Sequence, residues 1–226
     1  RVVWKDDLFV KDGRNIQPTG YAKDLWRQVR GPLHYIEQAI SPEAFDPLSA
    51  ERTFRVAVTD YTVDTLWLPM RQFFEKQAPG VNLHAIPYAI EKAQQMLDDA
   101  EVDLVFSARA QAPNNILSSH LANIHYVCVM RKDHPLRAQP LTAEAFARAE
   151  HLLVSLSGDI NGPTDEALNQ LGLSRRIAMT VNNFASATPM IIGSDLIAIV
   201  PDGTVQNQDL AEEVWIGDSP VDIPCT

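Results

Sequence analysis

Cysteine is scarce in this sequence, and long apolar runs are missing. The only two cysteines of the 226 residues, Cys128 and Cys225, lie far apart and fit no metal-binding spacing, so we expect neither a disulfide framework nor a metal site. No apolar run approaches the roughly 20 residues that a membrane-spanning helix needs. Residues 1–7 are charged and contain too short an apolar part for a signal peptide. These absences predict a soluble, cytoplasmic protein that has no contact with a membrane.

The familiar motifs of catalytic and nucleotide-binding sites are also missing. The chain contains no P-loop and no G-x-G-x-x-G pattern. It contains no G-x-S-x-G elbow and no H-E-x-x-H pattern either. His120 and His125 lack the i, i+4 spacing that would place both on one helix face, so we interpret them as surface or packing residues. We therefore predict no enzyme activity, no catalytic residue, no bound metal and no cofactor.

Charge is distributed unevenly along the chain. The formal net charge is −10, yet residues 1–36 carry seven Lys and Arg against four Asp and Glu, a net charge of +3, which leaves −13 for residues 37–226. Such an acidic body argues against nucleic-acid binding by the main domain. Two interpretations of the basic N-terminal residues stay open: a small contact with nucleic acid, or ordinary surface charge.

The first fifty residues differ in pattern from the rest. Residues 4–10 have the pattern of a strand, residues 11–14 form a turn signal, and Thr19 is a favourable N-cap for a helix. Pro32 lies inside this helix and predicts a kink. The apolar side chains step by 3, 4, 3 and 4, as in a coiled-coil seam: Trp26, Val29, Leu33, Ile36 and Ile40. Two heptads also fit an amphipathic helix packed on its own domain, so both interpretations stay open.

From residue 52 onward the pattern alternates between strands and helices. Alternation and buried-type apolar runs predict strands at 54–58, 81–87, 103–106, 126–131, 151–156, 176–181 and 196–200. Helical spacing predicts helices around 63–74, 90–100, 141–149, 163–171 and 185–193. This order indicates two α/β units with parallel strands and a boundary near residues 131–135. Paired units of this kind bind small molecules in the crevice between them.

Several segments resemble the LysR family of bacterial transcriptional regulators. Residues 8–19 resemble the wing of its winged helix-turn-helix, and the helix that follows resembles its dimerisation helix. Residues 45–54, 127–135 and 194–201 resemble the branch that senses salicylate, nitroaromatics, chlorinated phenols and plant flavonoids. The resemblance divides the chain into a wing remnant (1–18), a linker helix and connector (19–50), regulatory subdomain 1 (51–131), regulatory subdomain 2 (132–222) and the start of a return to subdomain 1 (223–226).

This resemblance implies both a fold and a function. The expected fold is a linker helix followed by two Rossmann-like subdomains of the type 2 periplasmic-binding-protein kind. The expected function is to bind a small, aromatic effector between them and to signal to a DNA-binding domain, within a homodimer or homotetramer. DNA would be contacted only through a helix-turn-helix that these residues do not contain. The alternatives are a solute-binding protein that feeds a transporter and a small α/β enzyme.

Candidate effector contacts follow the strands of the first unit. Thr59, Asp60 and Tyr61 lie where a helix N-terminus would favour an anionic ligand, although Thr62 as a helix cap and Asp60 as a turn residue would explain them equally well. Phe106 and Ser107 end a later strand at the same edge.

In the second unit the resemblance supplies most of the candidates. It implies that Asn161, Gly162, Asn183 and Phe184 face the effector, and Pro201 closes a strand end beside them. Asn183 stands where aromatic-sensing relatives carry a histidine, and an amide cannot become a cation. A phenol, a nitro compound or another weakly acidic aromatic therefore suits this sequence better than salicylate.

Overall fold

The computed structural model of the chain describes residues 7–13, 15–40, 45–108, 115–206 and 211–223. It begins with an antiparallel pair of strands, β1 (Phe9–Asp12) and β2 (Asn15–Pro18). Gly13 follows β1 at a φ of 60°, a conformation that favours glycine. Across the described ranges, no helix combines the length and hydropathy that a membrane span needs.

The long helix α1 (Gly20–Ile40) follows this pair of strands. Its predicted cap is confirmed, because Thr19 Oγ1 accepts from the backbone N–H of Ala22 at 3.1 Å. The same hydroxyl donates to the carbonyl of Asp7 at 2.9 Å, which fixes the helix start to the preceding segment. The helix runs on through Pro32 as one element.

The first lobe is a three-stranded parallel sheet with the order β4-β3-β5. Its strands are β3 (Arg52–Ala57), β4 (Val81–Ile86) and β5 (Leu104–Val105). Between β3 and β4 lies a continuous helical segment: α2 (Asp60–Thr62), a π-helical turn (Val63–Trp67) and α3 (Leu68–Gln77). A 3-10 turn (Ile90–Lys92) and α4 (Ala93–Asp98) connect β4 to β5. Ala57, Met96 and Val102 form the buried centre of this lobe.

The second lobe is a five-stranded mixed sheet with the order β10-β6-β9-β7-β8. Its strands are β6 (Tyr126–Arg131), β7 (Glu150–Val154), β8 (Arg176–Val181), β9 (Leu196–Pro201) and β10 (Val214–Asp218). Its helices are α5 (Ala143–Ala147), α6 (Pro163–Gln170), α7 (Ala187–Ile192) and α8 (Gly203–Gln206). The lobe buries two apolar clusters, one centred on Phe146 and Leu168 and the other on Leu152 and Ile191.

Strand pairing confirms the predicted α/β class and refines its division. β6 pairs antiparallel with β9 and β10, so its residues belong to the second sheet. The change of sheet therefore falls between β5 and β6, ahead of the predicted boundary near residues 131–135. The apolar pattern of residues 126–131 indicates a strand but not the sheet that it joins.

Candidate functional site

Residues that follow the strand ends of the two lobes meet in one crevice. The backbone N–H of Ala185, after β8, donates to Asp60 Oδ2, after β3, and the two atoms are 2.9 Å apart. Beside this bond, the ring of Tyr61 lies edge-to-face against Phe184, with centroids 6.0 Å apart and planes at 62°. This geometry is favourable for an aromatic pair. The fold thus brings together Asp60, Tyr61 and Phe184, although Asp60 and Ala185 are 125 positions apart.

The first-lobe side of the crevice is the beginning of α2. Thr59 has extended backbone, and its Oγ1 accepts from the backbone N–H of Thr62 at 3.3 Å. The helix cap is therefore Thr59, and Thr62 supplies the N–H that is capped. The π-helical turn begins at Val63, two residues after Tyr61, and Thr65 Oγ1 donates to the Tyr61 carbonyl at 2.8 Å. Single π turns often occur at functional sites.

The crevice is acidic. Burial and then the charge of Asp60 raise the pKa of Asp64 above its ordinary value. Burial and then the charge of Asp202 raise the pKa of Tyr61, so its phenol is neutral at physiological pH. Asp202 lies at the turn after β9, where its Oδ1 accepts from the backbone N–H of Gly203 at 2.7 Å. The negative charges oppose the attraction for an anion that a helix N-terminus alone would offer.

Gly203 is a crevice residue that the sequence did not single out. A Cβ at this position would lie 3.1 Å from both Cε2 and Oη of Tyr61. That is closer than ordinary van der Waals contact, so the absent side chain lets the tyrosine ring pack on the backbone of the second lobe. A lone glycine directly after a strand is the signal that could have indicated a close approach.

Phe106 and Ser107 follow β5 and are held from within the first lobe. The Phe106 backbone N–H donates to the carbonyl of Ala57 at 3.0 Å, and its own carbonyl accepts from Tyr88 Oη at 2.6 Å. Burial raises the pKa of Tyr88, while a hydrogen bond with Ser107 acts in the opposite direction. Tyr88, which follows β4 at the same sheet edge, is a second residue that sequence reasoning missed.

A buried ion pair fixes the loop that carries Asn161 and Gly162. Gly162 is the N-cap of α6, and its N–H donates to Asp165 Oδ2 at 2.8 Å. Arg175, whose side chain is buried, donates to both oxygens of Asp165 at 2.8 Å. Burial alone would raise the pKa of Asp165, but the hydrogen bonds and charge of Arg175 and the Gly162 N–H hold it below its ordinary value. Asn161 is exposed just before this anchored position.

The Asn183 side-chain amide forms hydrogen bonds with neighbouring residues through both its oxygen and its nitrogen. Its Oδ1 accepts from the backbone N–H of Ser186 at 2.8 Å, and its Nδ2 donates to Asn182 Oδ1 at 2.9 Å. These bonds shape the turn that presents Phe184 and Ala185 to the first lobe. Pro201 is buried at the end of β9, opposite Tyr126 of β6.

The proposed dimerisation face lies on α1. Trp26, Leu33 and Ile36 are exposed and Val29 is half-buried, whereas the side chain of Ile40 lies outside the described residues. Two arginines of α1 form hydrogen bonds with the first lobe. Arg27 Nε donates to Asp99 Oδ1 at 3.4 Å, and Arg30 donates to the backbone carbonyl of Leu97. Three of the four described side chains of the predicted seam are thus exposed.

A surface depression and a buried cysteine lie outside the crevice. A shallow depression of about 280 Å³ lies beside His134 at the opposite end of the second sheet. The His134 imidazole accepts from the Leu136 N–H at 3.1 Å and donates to the Asp195 carbonyl at 3.0 Å, which indicates a structural role. Burial raises the pKa of the Cys128 thiol to about 12, so this cysteine is a poor nucleophile.

The sequence and the fold both match proteins of one kind. A family model described as the LysR substrate binding domain matches residues 49–220. The HTH-type transcriptional activator NahR of Pseudomonas putida is 32% identical over 202 residues, which cover 89% of this chain and 67% of NahR. Nodulation protein D 2 of Rhizobium tropici is 29% identical over 231 residues, which cover 99% of this chain and 71% of the relative.

Solved structures agree with these relatives. The probable transcriptional regulator PA0477 from Pseudomonas aeruginosa superposes with a TM-score of 0.75 at 27% identity, covering 97% of this chain and 74% of that one. The regulatory domain of MexT, a transcriptional activator of the same organism, gives a TM-score of 0.67 at 24% identity, covering 77% of this chain and 84% of that one. The two lobes have the type 2 periplasmic-binding-like architecture of these domains.

Proposed function

Because the chain belongs to the LysR family of transcriptional regulators, we propose that its two lobes close on a small aromatic effector at Tyr61 and Phe184. The observation that carries this proposal is the contact between lobes, in which an aromatic pair from opposite sides lies beside the Asp60–Ala185 hydrogen bond. Aromatic rings that bind each other edge-to-face also offer surfaces to an aromatic ligand. The resemblance of residues 45–54, 127–135 and 194–201 to the aromatic-sensing branch supports the same class.

The effector acts by favouring one arrangement of the lobes. A ligand shifts an equilibrium between conformations by the difference of its affinities for them. The Asp60 bond and the Tyr61 contact are made only when the lobes are close, so occupation of the crevice changes them directly. Arg27 and Arg30 connect α1 to the end of α4 in the first lobe, which gives a path from the crevice to the linker helix.

The remaining parts of the proposal follow from family membership. Members of the family are regulators that bind effectors and DNA and form oligomers, so we assign this chain to a cytoplasmic homodimer or homotetramer without catalytic activity. The exposed seam of α1 supports the dimer. In this proposal the domains are a wing remnant (1–18), a linker helix with its connector (19–50) and two regulatory subdomains. The boundary between the subdomains lies before β6 and not near residues 131–135. A solute-binding protein is not favoured, because the relatives are transcriptional regulators.

A thermal-shift screen against phenols, nitroaromatics, benzamides, benzoates and flavonoids tests the effector class. A ligand at 100 times its Kd stabilises the folded state by about 2.7 kcal/mol. For a chain of this size that raises the Tm by about 5–10 °C. Phe184→Ala should weaken the best ligand about 5- to 10-fold, because an aromatic contact contributes roughly 1 kcal/mol. Phe45→Ala, at an exposed phenylalanine of the connector, is the matched control and should leave the shift intact. A flat screen on the full-length chain would contradict the proposal.

A further inference from the structure

Three buried polar atoms have no hydrogen-bond partner in the part of the chain that the structure describes. They are Asp60 Oδ1, Thr188 Oγ1 and Thr204 Oγ1. The two threonines are 1% and 5% exposed, so their hydroxyls are well shielded from solvent. Buried polar groups in folded proteins are almost always hydrogen-bonded, and each exception calls for an explanation.

All three atoms lie on segments that form the crevice. The other oxygen of Asp60 accepts the bond from Ala185 that joins the lobes. Thr188 lies in the first turn of α7, directly beyond that bond. Thr204 follows Gly203, the residue against which Tyr61 packs. Along the chain, each unsatisfied atom thus lies within three residues of a group that forms the contact between the lobes.

The charge of these groups restricts what can satisfy them. An ionised carboxylate only accepts hydrogen bonds, so a partner of Asp60 Oδ1 has to donate. Asp64 and Asp202 add further negative charge beside Asp60 and Tyr61, as the pKa shifts of Asp64 and Tyr61 indicate. A ligand carboxylate placed here would face like charges, which disfavours binding. The threonine hydroxyls impose no such restriction, since they donate as well as accept.

We infer that the effector is an uncharged aromatic compound that presents an O–H or N–H donor to the Asp60 carboxylate, and that aromatic carboxylates are rejected. This inference rests on the proposed function, because it places the ligand between Tyr61 and Phe184. It goes beyond the general aromatic class by assigning the charge and the hydrogen-bonding polarity of the ligand. It also reverses the expectation that the start of the first-lobe helix would attract an anion.

Isothermal titration calorimetry on the full-length chain with matched pairs of compounds tests the inference. Each pair shares one ring and differs in one group: salicylamide and salicylate, benzamide and benzoate, and 4-hydroxybenzamide and 4-hydroxybenzoate. We expect the amide to bind about tenfold or more tightly than its carboxylate, because like-charge contacts are costly. Asp60→Asn should reduce the ratio of the two affinities several-fold, mainly by increasing the affinity for the carboxylate compound. The wild-type ratio is decisive by itself, even where the variant does not fold.

A matched charge control separates a local effect from a general one. Glu75→Gln removes one negative charge from an exposed position on α3, roughly 20 Å further along the same helical segment. It should leave the ratio unchanged. Carboxylates that bind the wild type as tightly as the amides would overturn the inference and leave the aromatic sensor standing. Failure of every compound in the pairs and in the earlier screen would overturn the proposed function, and the inference with it.

Discussion

Both lobes contribute residues to the crevice, but their buried apolar cores differ in size. In the described part of the first lobe, one cluster of three residues and four further apolar side chains are buried: Ala57, Met96 and Val102, with Val56, Val58, Ala78 and Val81. The second lobe has two buried clusters of nine residues each, one on either side of its central strands. Local opening costs least where few apolar contacts are buried. We therefore expect local opening to cost less in the first lobe than in the second.

The helix that carries Asp60 and Tyr61 fits this division. None of the residues of α2, the π turn or α3 is fully buried. By contrast, the turn that carries Phe184 continues into α7, where Ala187, Thr188 and Ile191 are buried. In the proposed function, an effector would therefore contact a helix without fully buried residues on one side and a turn that leads into a buried helix on the other. Substitutions in the two cores should test this difference.

The largest effect should come from the core of the second lobe. Phe146 is fully buried between α5 and the sheet, and its ring packs edge-to-face on His151 at 4.5 Å. Phe146→Ala should lower the free energy of unfolding by about 3–5 kcal/mol, because it removes a large side chain and leaves a cavity. Urea denaturation followed by far-UV circular dichroism measures this. Phe73→Ala, at a phenylalanine that is 61% exposed on α3, is the control and should change stability by less than about 1 kcal/mol.

Met96→Ala tests the core of the first lobe in the same way. Met96 is the largest side chain in the buried centre of the first lobe, and truncation should cost about 2 kcal/mol or more. Hydrogen exchange should show the loss of protection mainly in β3, β4 and β5. Equal loss of protection throughout both sheets would mean that the lobes unfold as one unit and would contradict the division.

Acidification should act on the second lobe over a defined pH range. Burial lowers the pKa of His151 to about 4, and its Nε2–H donates to the Phe146 carbonyl at 2.8 Å. Between about pH 6.5 and 4 the unfolded chain binds a proton that the folded chain does not, so stability falls as the pH falls and levels off below pH 4 for this group. The total loss is about 3 kcal/mol. The lowered pKa of Asp165 contributes stability above the unfolded carboxyl pKa, and this is lost only at still lower pH.

Urea titrations at several pH values separate the histidine from other groups. His151→Gln keeps an N–H for the Phe146 carbonyl but does not titrate, so it should flatten the dependence between pH 6.5 and 4. His84→Gln, at an exposed position of β4, should leave that dependence as in the wild type. An unchanged slope in His151→Gln would show that the imidazole is not the group responsible.

Much of the site could be predicted because it follows strand ends. Asp60 and Tyr61 come soon after an apolar run, and parallel strands bring such positions to one edge. Phe184 was predicted from the resemblance to the LysR family. The sequence does not reveal which of them touch, since that depends on how the lobes are oriented. Gly203 and Tyr88 were missed because each is a single residue outside any motif. The local bonds of Asn183 depend on the turn that brings the Ser186 N–H within reach of its side chain.

The fold shows the same limits. From residue 52 onward, apolar patterns located all seven predicted strands and all five predicted helices to within about three residues. β10 was not predicted, because its apolar run is short and ends at Gly217. The structure explains this glycine: the ring of Trp215 lies over it, and a Cβ there would come within 2.1 Å of the indole. An apolar pattern indicates which residues of a strand are buried. It does not indicate that the Trp215 ring packs over the backbone of its own strand at Gly217.

The smallest effect should come from Thr204, where the well-packed second lobe meets the crevice. Thr204→Val replaces a buried hydroxyl that has no partner with a methyl group of similar size, so the free energy of unfolding should stay the same or rise by up to about 1 kcal/mol. Thr142→Val is the matched control. There the hydroxyl accepts from the Ala145 N–H at 3.2 Å and caps α5, so the same substitution should cost about 1 kcal/mol. If the Thr204 hydroxyl bonds to the effector, Thr204→Val should also weaken binding about 5-fold. Affinity would then fall while stability stays the same or rises, as expected of a group that is retained for binding the ligand. A loss of stability without a loss of affinity would instead show that Thr204 has only a structural role in the second lobe.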